Sequence, residues 1–578
     1  MMPTNGPEHF RVHPHCGACG FAFKIGDRFV SFLSRPATVI YGTQDSLTFP
    51  PEDIGHVIEC ARVGETTTVH PDCYNLFAKE CRAEDIMDRL WVASTWRYPW
   101  SEAKPLLLPP DLDIDTGIDC VAAVGHLPQL LALPNIPARI IWESVSNAMI
   151  LRYTSVLSLA RRLSAANDDG MVSLPLCMIY AWDRGTSPTI REAVTEPFIR
   201  LTIDYQGLKI IERLEALPER RGVQAETEAF VVEKAECFAR VVASFKYGLA
   251  HLKNVSSTDL KMWDTPAPPN WEECLVSPPS SRPPGIIKTI EMRYSTGITL
   301  FVCGIVTVAI HTHTSKAPCA SKTFERLSYR AQGSALWLYV PLSSDDGITA
   351  FGVRMKTKMD DLYSRATATF LVSSNGVGID RSKLTNKFRF ARSGDLAIGR
   401  HHHAQTTDFV SATSPDCTLI YSVPSFGISD YGVCPRVGGN VQITLFTPMG
   451  NPPSRFTFFS SGSLEAVFST TVFYDEETGF CMGILIKYND GTRRALGQCR
   501  LGVDPTQYCT APTHLCHYPI THQRPGERFP EEGFIAEFTT DLKHGHNEEA
   551  AREWECCQVK GNLQFWFHHT KSVLQVVD

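Results

Sequence analysis

Cys16-Gly-Ala-Cys19 and His70-Pro-Asp-Cys73 are the residues whose types and spacing could do chemistry. Two cysteines separated by two residues form a knuckle that aims both thiolates at one edge of a tetrahedral metal. A histidine three residues before a cysteine does the same from the start of a helix, where positions three apart share a face. The following residues, through Trp91, are helix-compatible, with Phe77 above Cys81 and Ile86 above Leu90. Together the pairs predict a treble-clef-like zinc site held by Cys16, Cys19, His70 and Cys73. Four protein ligands leave no coordination position for water, so the zinc would be structural and would add folding energy to a thin segment. The gap between the pairs exceeds the roughly 12 to 20 residues usual in compact sites. His56 and Cys60 lie inside it and are candidate substitute or additional ligands.

Other candidate chemistry is weaker. His311-Thr-His313 follows an apolar run, and strand alternation would point both rings one way. No glutamate follows before Glu325, so an exposed turn or loop is expected rather than a metal site. His401-His402-His403 reads as a polar loop. The aromatics Phe456–Phe459 and Phe565–Phe567 read as sandwich core, with a sugar- or peptide-binding face as the lesser alternative. Neither a phosphate-binding glycine loop nor a nucleophile elbow, kinase signature or HEXXH pair occurs, so the catalytic residues stay unknown and no organic cofactor is expected.

The elements that must position these residues belong to a long chain. Its 578 residues call for two to four domains. Hydrophobic residues at 43% and charged residues at 20% exclude general disorder. A net charge of −7 excludes a chain devoted to nucleic-acid phosphates. The N-terminal residues lack the apolar core of a signal peptide, and the apolar run Ile298–Ile310 is too short to span a membrane. A cytoplasmic or nuclear location follows, with protein partners, no membrane, and the 19 cysteines mainly core thiols with some metal ligands.

The fold class expected is a multidomain α+β chain: a zinc-stabilised N-terminal module, a helical connector and a large antiparallel β sandwich or barrel. The zinc module covers residues 1–104. A helical connector with short strands covers 105–264, its helix reading from Ile136 to Leu163. Seven prolines in residues 265–285 make a stiff linker and the best boundary. Residues 286–578 form the β-rich domain, with strands at Ala335–Pro341, Ala366–Val372, Val441–Phe446 and Gly483–Tyr488. A short helix is expected over Glu548–Glu555 and a terminal strand over Leu563–Phe567.

The order of Cys/His pairs, Trp96-Arg-Tyr-Pro-Trp100, a Leu-Pro helical stretch, Ala181-Trp182-Asp183-Arg184-Gly185 and Gly497–Gly502 resembles a group of fungal intracellular F-box-like proteins. Leu133–Tyr153 falls where an F-box would. The resemblance implies that Leu133, Pro134, Ile136, Ile141 and Trp142 dock the Skp-type adaptor of a cullin ubiquitin ligase. Asn135 replaces the usual acidic residue and Pro137 interrupts the first helix. By this reading the chain is an interaction or adaptor protein. The alternative is an enzyme of fungal specialised metabolism with its active site in the β domain.

Overall fold

Strands form where β-branched and aromatic residues run between glycine, asparagine and aspartate turns, and among the described residues the α-helices of ten residues or more lie in the N-terminal third. The computed structural model describes residues 15–21, 23, 26–35, 38–41, 47–48, 66–100, 108, 147–191, 195–219, 225, 227–255, 260–276, 285–304, 306–325, 327, 329–343, 348–355, 370–371, 385–390, 394–400, 407–412, 417–422, 431–435, 457–523, 530–542, 544–546, 554–568 and 571–577. The chain divides into two compact units, Met1–Pro268 and Pro269–Asp578. The boundary falls within the proline-rich stretch. Beyond it Trp271–Glu273 form a 3-10 turn and Leu275–Val276 pair with Gly432–Val433, so this part is structured rather than a bare spacer.

In the first unit, α1 (Pro71–Glu80), α2 (Ile86–Thr95) and α3 (Asn147–Ala165) surround a core of Phe77, Leu90, Leu157, Ala160 and Leu163. Pro71 occupies the first turn of α1, where a missing N–H costs nothing. Strand Arg28–Arg35 pairs antiparallel with Thr66–Val69, with Val30 opposite Val69. The expected helix over 136–163 is observed from Asn147; residues 136–146 lie outside the described set. The rest of the supposed connector is mainly sheet. Strands Phe198–Asp204, Gly207–Leu214 and Glu228–Lys234 are neighbours, with Phe198–Asp204 between the other two. Leu201 to Asp204 are all buried, so both faces of this strand are covered there. The hairpin Val242–Lys246/Leu249–Lys253 turns through Tyr247 and Gly248, both with positive φ (52° and 69°). Tyr247 tolerates this because its hydroxyl donates to Asp85 and Asp88, at the start of α2.

The second unit is built of open antiparallel sheets. No closed barrel forms among the described residues, which corrects that half of the expectation. The apolar run Ile298–Ile310 falls in two strands. Gly297–Cys303 and Val306–His313 make a hairpin, with Gly304 (φ 63°) at its turn and Ala335–Pro341 on the other side. Cys481–Tyr488 and Arg493–Gly497 turn through Asp490-Gly491, as the Asp-Gly pair predicts. The core gathers Leu300, Leu338, Ile484, Leu496, Leu515 and Phe565. Asn562–Phe567 is not terminal: Ser572–Val577 pairs against it. Glu555 opens a strand rather than ending a helix. Val441–Phe446 and most of Glu548–Glu555 lie outside the described residues, whereas Phe370–Leu371 form a two-residue strand within the expected 366–372. No helix among the described residues is long and apolar enough to cross a membrane.

Candidate metal centre

Cys16 and Cys19 sit on a tight turn. The Cys16 N–H donates to the Phe21 carbonyl (2.9 Å) and the Gly20 N–H to the Cys16 carbonyl (2.8 Å). Gly20 adopts φ 83°, a left-handed conformation that favours glycine. A third bond, Gly17 N–H to the Thr68 carbonyl (2.8 Å), fastens the knuckle to strand Thr66–Val69. That strand leads directly into His70, the residue capping α1, and Cys73 lies in its first turn. Pairing of the two strands therefore closes the long sequence gap.

The four donor atoms lie within 4.8 Å of one another. His70 Nδ1 is 3.6 Å from Cys19 Sγ and 3.9 Å from Cys73 Sγ, and the His70 N–H donates to Cys16 Sγ (3.4 Å). The three cysteines have 0% exposure and His70 has 4%. Around them Asp27 lies 3.6 Å from His70 Nε2, Arg152 Nε donates to Cys73 Sγ (3.0 Å), and Ser155 donates to the Cys19 carbonyl. With Nε2–H turned to a carboxylate, Nδ1 presents its lone pair to the sulfurs.

Charge balance explains the cluster. Burial opposes ionisation of Cys16, but hydrogen bonds from Cys19, Cys73 and His70 overcome it and hold its pKa well below the ordinary thiol value. Burial and then the Cys16 sulfur push Cys19 up. At Cys73 the Cys16 and Cys19 sulfurs, then burial, push the thiol up strongly. A divalent cation bound among them would favour the thiolate form of all three cysteines. Three thiolates and Zn²⁺ sum to −1, and the Arg152 guanidinium offsets that charge. The donor set suits a tetrahedral S₃N zinc, closed to water. The cluster could hold a metal ion at the four positions that the spacing singles out.

The remaining sequence candidates fare differently. His56, Cys60, Leu133, Pro134, Ile136, Ile141, Trp142 and His401–His403 lie outside the described residues. His311 and His313 are buried rather than exposed on a loop. His311 Nε2–H donates to the Ala317 carbonyl and Nδ1 accepts from Thr323. His313 Nδ1–H donates to the Pro318 carbonyl and Nε2 accepts from Thr299. All four ring nitrogens are thus occupied, which makes this pair a core hydrogen-bond network. Phe458, Phe459, Phe565, Trp566 and Phe567 are buried, so they form core and not a sugar-binding face. In the Trp182–Gly185 motif, Trp182 is core and Arg184 makes two 2.6 Å bonds to Asp204, which is structural work.

Sequence reasoning missed a second Cys/His group, Cys516, His544, His546 and Cys556. Its only local signals are the alternate histidines at 544 and 546 and the cysteine doublet at 556–557. No protein-family model, curated protein or solved structure matches the chain.

Proposed function

We propose that the chain is an intracellular interaction protein whose first unit is stapled by a structural zinc in a treble-clef-like arrangement. Knuckle, antiparallel strands and a helix opening with two ligands, in that order, support the zinc reading. One observation carries the interaction reading. Met171, Val172, Met178 and Ile190 are exposed by 40–58% on or beside two strands that end their sheets among the described residues. Exposed apolar groups beside unpaired strand edges are a template for a partner chain.

The F-box resemblance names the partner: a Skp-type adaptor docking on Leu133, Pro134, Ile136, Ile141 and Trp142. Binding is tested by titrating the purified chain against that adaptor. Micromolar capture that Trp142→Ala abolishes, with the fold intact, supports the adaptor reading. No binding at that concentration overturns it. Binding lost instead in Val172→Asp would move the docking site to the strand edge.

A further inference from the structure

The second Cys/His group is built across a sheet. Cys516 on strand His514–His522 stands directly opposite Cys556 on strand Glu555–Gln558, so their side chains emerge on one face. His544 and His546 come from the segment after strand Glu531–Thr539. Cys516 Sγ is 2.9 Å from His544 Nε2, Cys556 Sγ is 3.4 Å from the same nitrogen, and Cys556 Sγ is 3.1 Å from His546 Nε2. All four donor atoms lie within 4.8 Å of one another.

The outer contacts of the two rings decide what these nitrogens offer. His544 Nδ1 lies 2.9 Å from the Asp541 carbonyl, which can only accept, so Nδ1 carries the proton. His546 Nδ1 lies 3.1 Å from a Glu537 carboxylate oxygen, with the same consequence. Both Nε2 lone pairs therefore face the sulfurs, in the orientation that second-sphere carbonyls and carboxylates impose on metal-bound histidines. Thiol donors alone fit less well. His544 Nε2 has one lone pair and faces two sulfurs, whereas a single cation would use every donor at once. A tetrahedral zinc sets S and N about 3.5 Å apart, so the cluster needs only slight expansion to receive one.

We propose that Cys516, His544, His546 and Cys556 bind a second zinc ion, pinning His544 and His546 to the sheet. The donor set is S₂N₂, which with Zn²⁺ is neutral and needs no balancing guanidinium. Trp554 stacks on His546 at 4.0 Å and 7°, covering that ligand. Cys556 is exposed, so chelators reach this ion before the buried one.

The test is the zinc content of the purified full-length chain and its Cys556→Ala and His546→Ala variants, with folding checked by circular dichroism. Cobalt(II) replacement adds an optical count of thiolate ligands. Cys556 lies on the exposed edge, so Cys556→Ala should fold even if His546→Ala does not. Two ions per chain in the wild type and one in Cys556→Ala support the site, as does a fast phase of chelation that the variant lacks. Unchanged zinc content in Cys556→Ala overturns it. One ion in the wild type and none in Cys556→Ala would uphold this site and overturn the N-terminal one, so the two failures are distinguishable.

Discussion

The two Cys/His clusters solve one problem with different materials. The N-terminal cluster places three sulfurs and one nitrogen at the start of α1, wholly buried, and sets Arg152 against the excess negative charge. The C-terminal cluster places two sulfurs and two nitrogens on a sheet edge, with one cysteine exposed and carboxylates nearby. The lesson is that burial and ligand charge go together. Here the three-sulfur set is buried beside a guanidinium, whereas the S₂N₂ set, which would be neutral with Zn²⁺, sits on a wet edge with acidic neighbours.

The sharpest way to break this comparison is to remove one sulfur from each cluster. Cys73→Ser puts a poorer ligand and a buried hydroxyl in place of a buried sulfur, and would lose the proposed metal binding coupled to folding. Stability of the first unit should fall by several kcal/mol, visible as loss of its cooperative thermal transition. Cys556→Ser, measured under the same conditions, should lower stability by less, since the side chain is exposed. Equal effects would mean that burial does not separate the two clusters.

A second comparison sets His251 in the first unit against His313 in the second. Burial holds both imidazoles down to about pKa 4, with Lys253 adding to the effect at His251. Their folded pKa values lie below the unfolded value of about 6.5, so the folded state binds fewer protons between pH 6.5 and 4. The contribution is fully present above pH 6.5 and is lost as pH falls towards 4, by about 1–3 kcal/mol for each group. Urea midpoints measured across that window should decline on acidification. His313 engages both ring nitrogens, whereas His251 Nδ1 has no hydrogen-bond partner and its ring stacks on Trp96. His251→Phe should therefore flatten the slope at little cost, and His313→Phe should flatten it while destabilising. An unchanged slope in His251→Phe would reject burial as its cause.

Legibility in the sequence followed locality. Cys16–Cys19 and His70–Cys73 were readable because a knuckle and a helix start are local geometries, whatever the loop between them. The glycines at 248 and 491 mark their hairpin turns for the same reason: turn chemistry is local. Cys516 and Cys556 were not readable, because only sheet register makes them neighbours. Alternate histidines were ambiguous by nature. At 311 and 313 they are filled by threonine hydroxyls and carbonyls, and at 544 and 546 they converge on sulfur. The two-strand nature of Ile298–Ile310 was hidden because a buried hairpin and a buried strand share the same apolar text, and Gly304 alone marks the turn.

The finest test of the comparison leaves every ligand in place. Asp27 lies 3.6 Å from His70 Nε2, and Glu537 lies 3.1 Å from His546 Nδ1. Each carboxylate orients a ring and makes its bare nitrogen a better donor. Asp27→Asn and Glu537→Gln keep shape and remove charge, so each should weaken zinc binding about tenfold, or about 1.4 kcal/mol, in competition with a chromophoric chelator. The two should differ in one respect. At the N-terminal cluster the carboxylate adds to a negative S₃N set, so its removal also relieves repulsion and the loss should be the smaller. At the C-terminal cluster the set is neutral, and nothing compensates for the lost orientation. A larger loss in Asp27→Asn than in Glu537→Gln would show that ligand charge does not govern the difference between the two clusters.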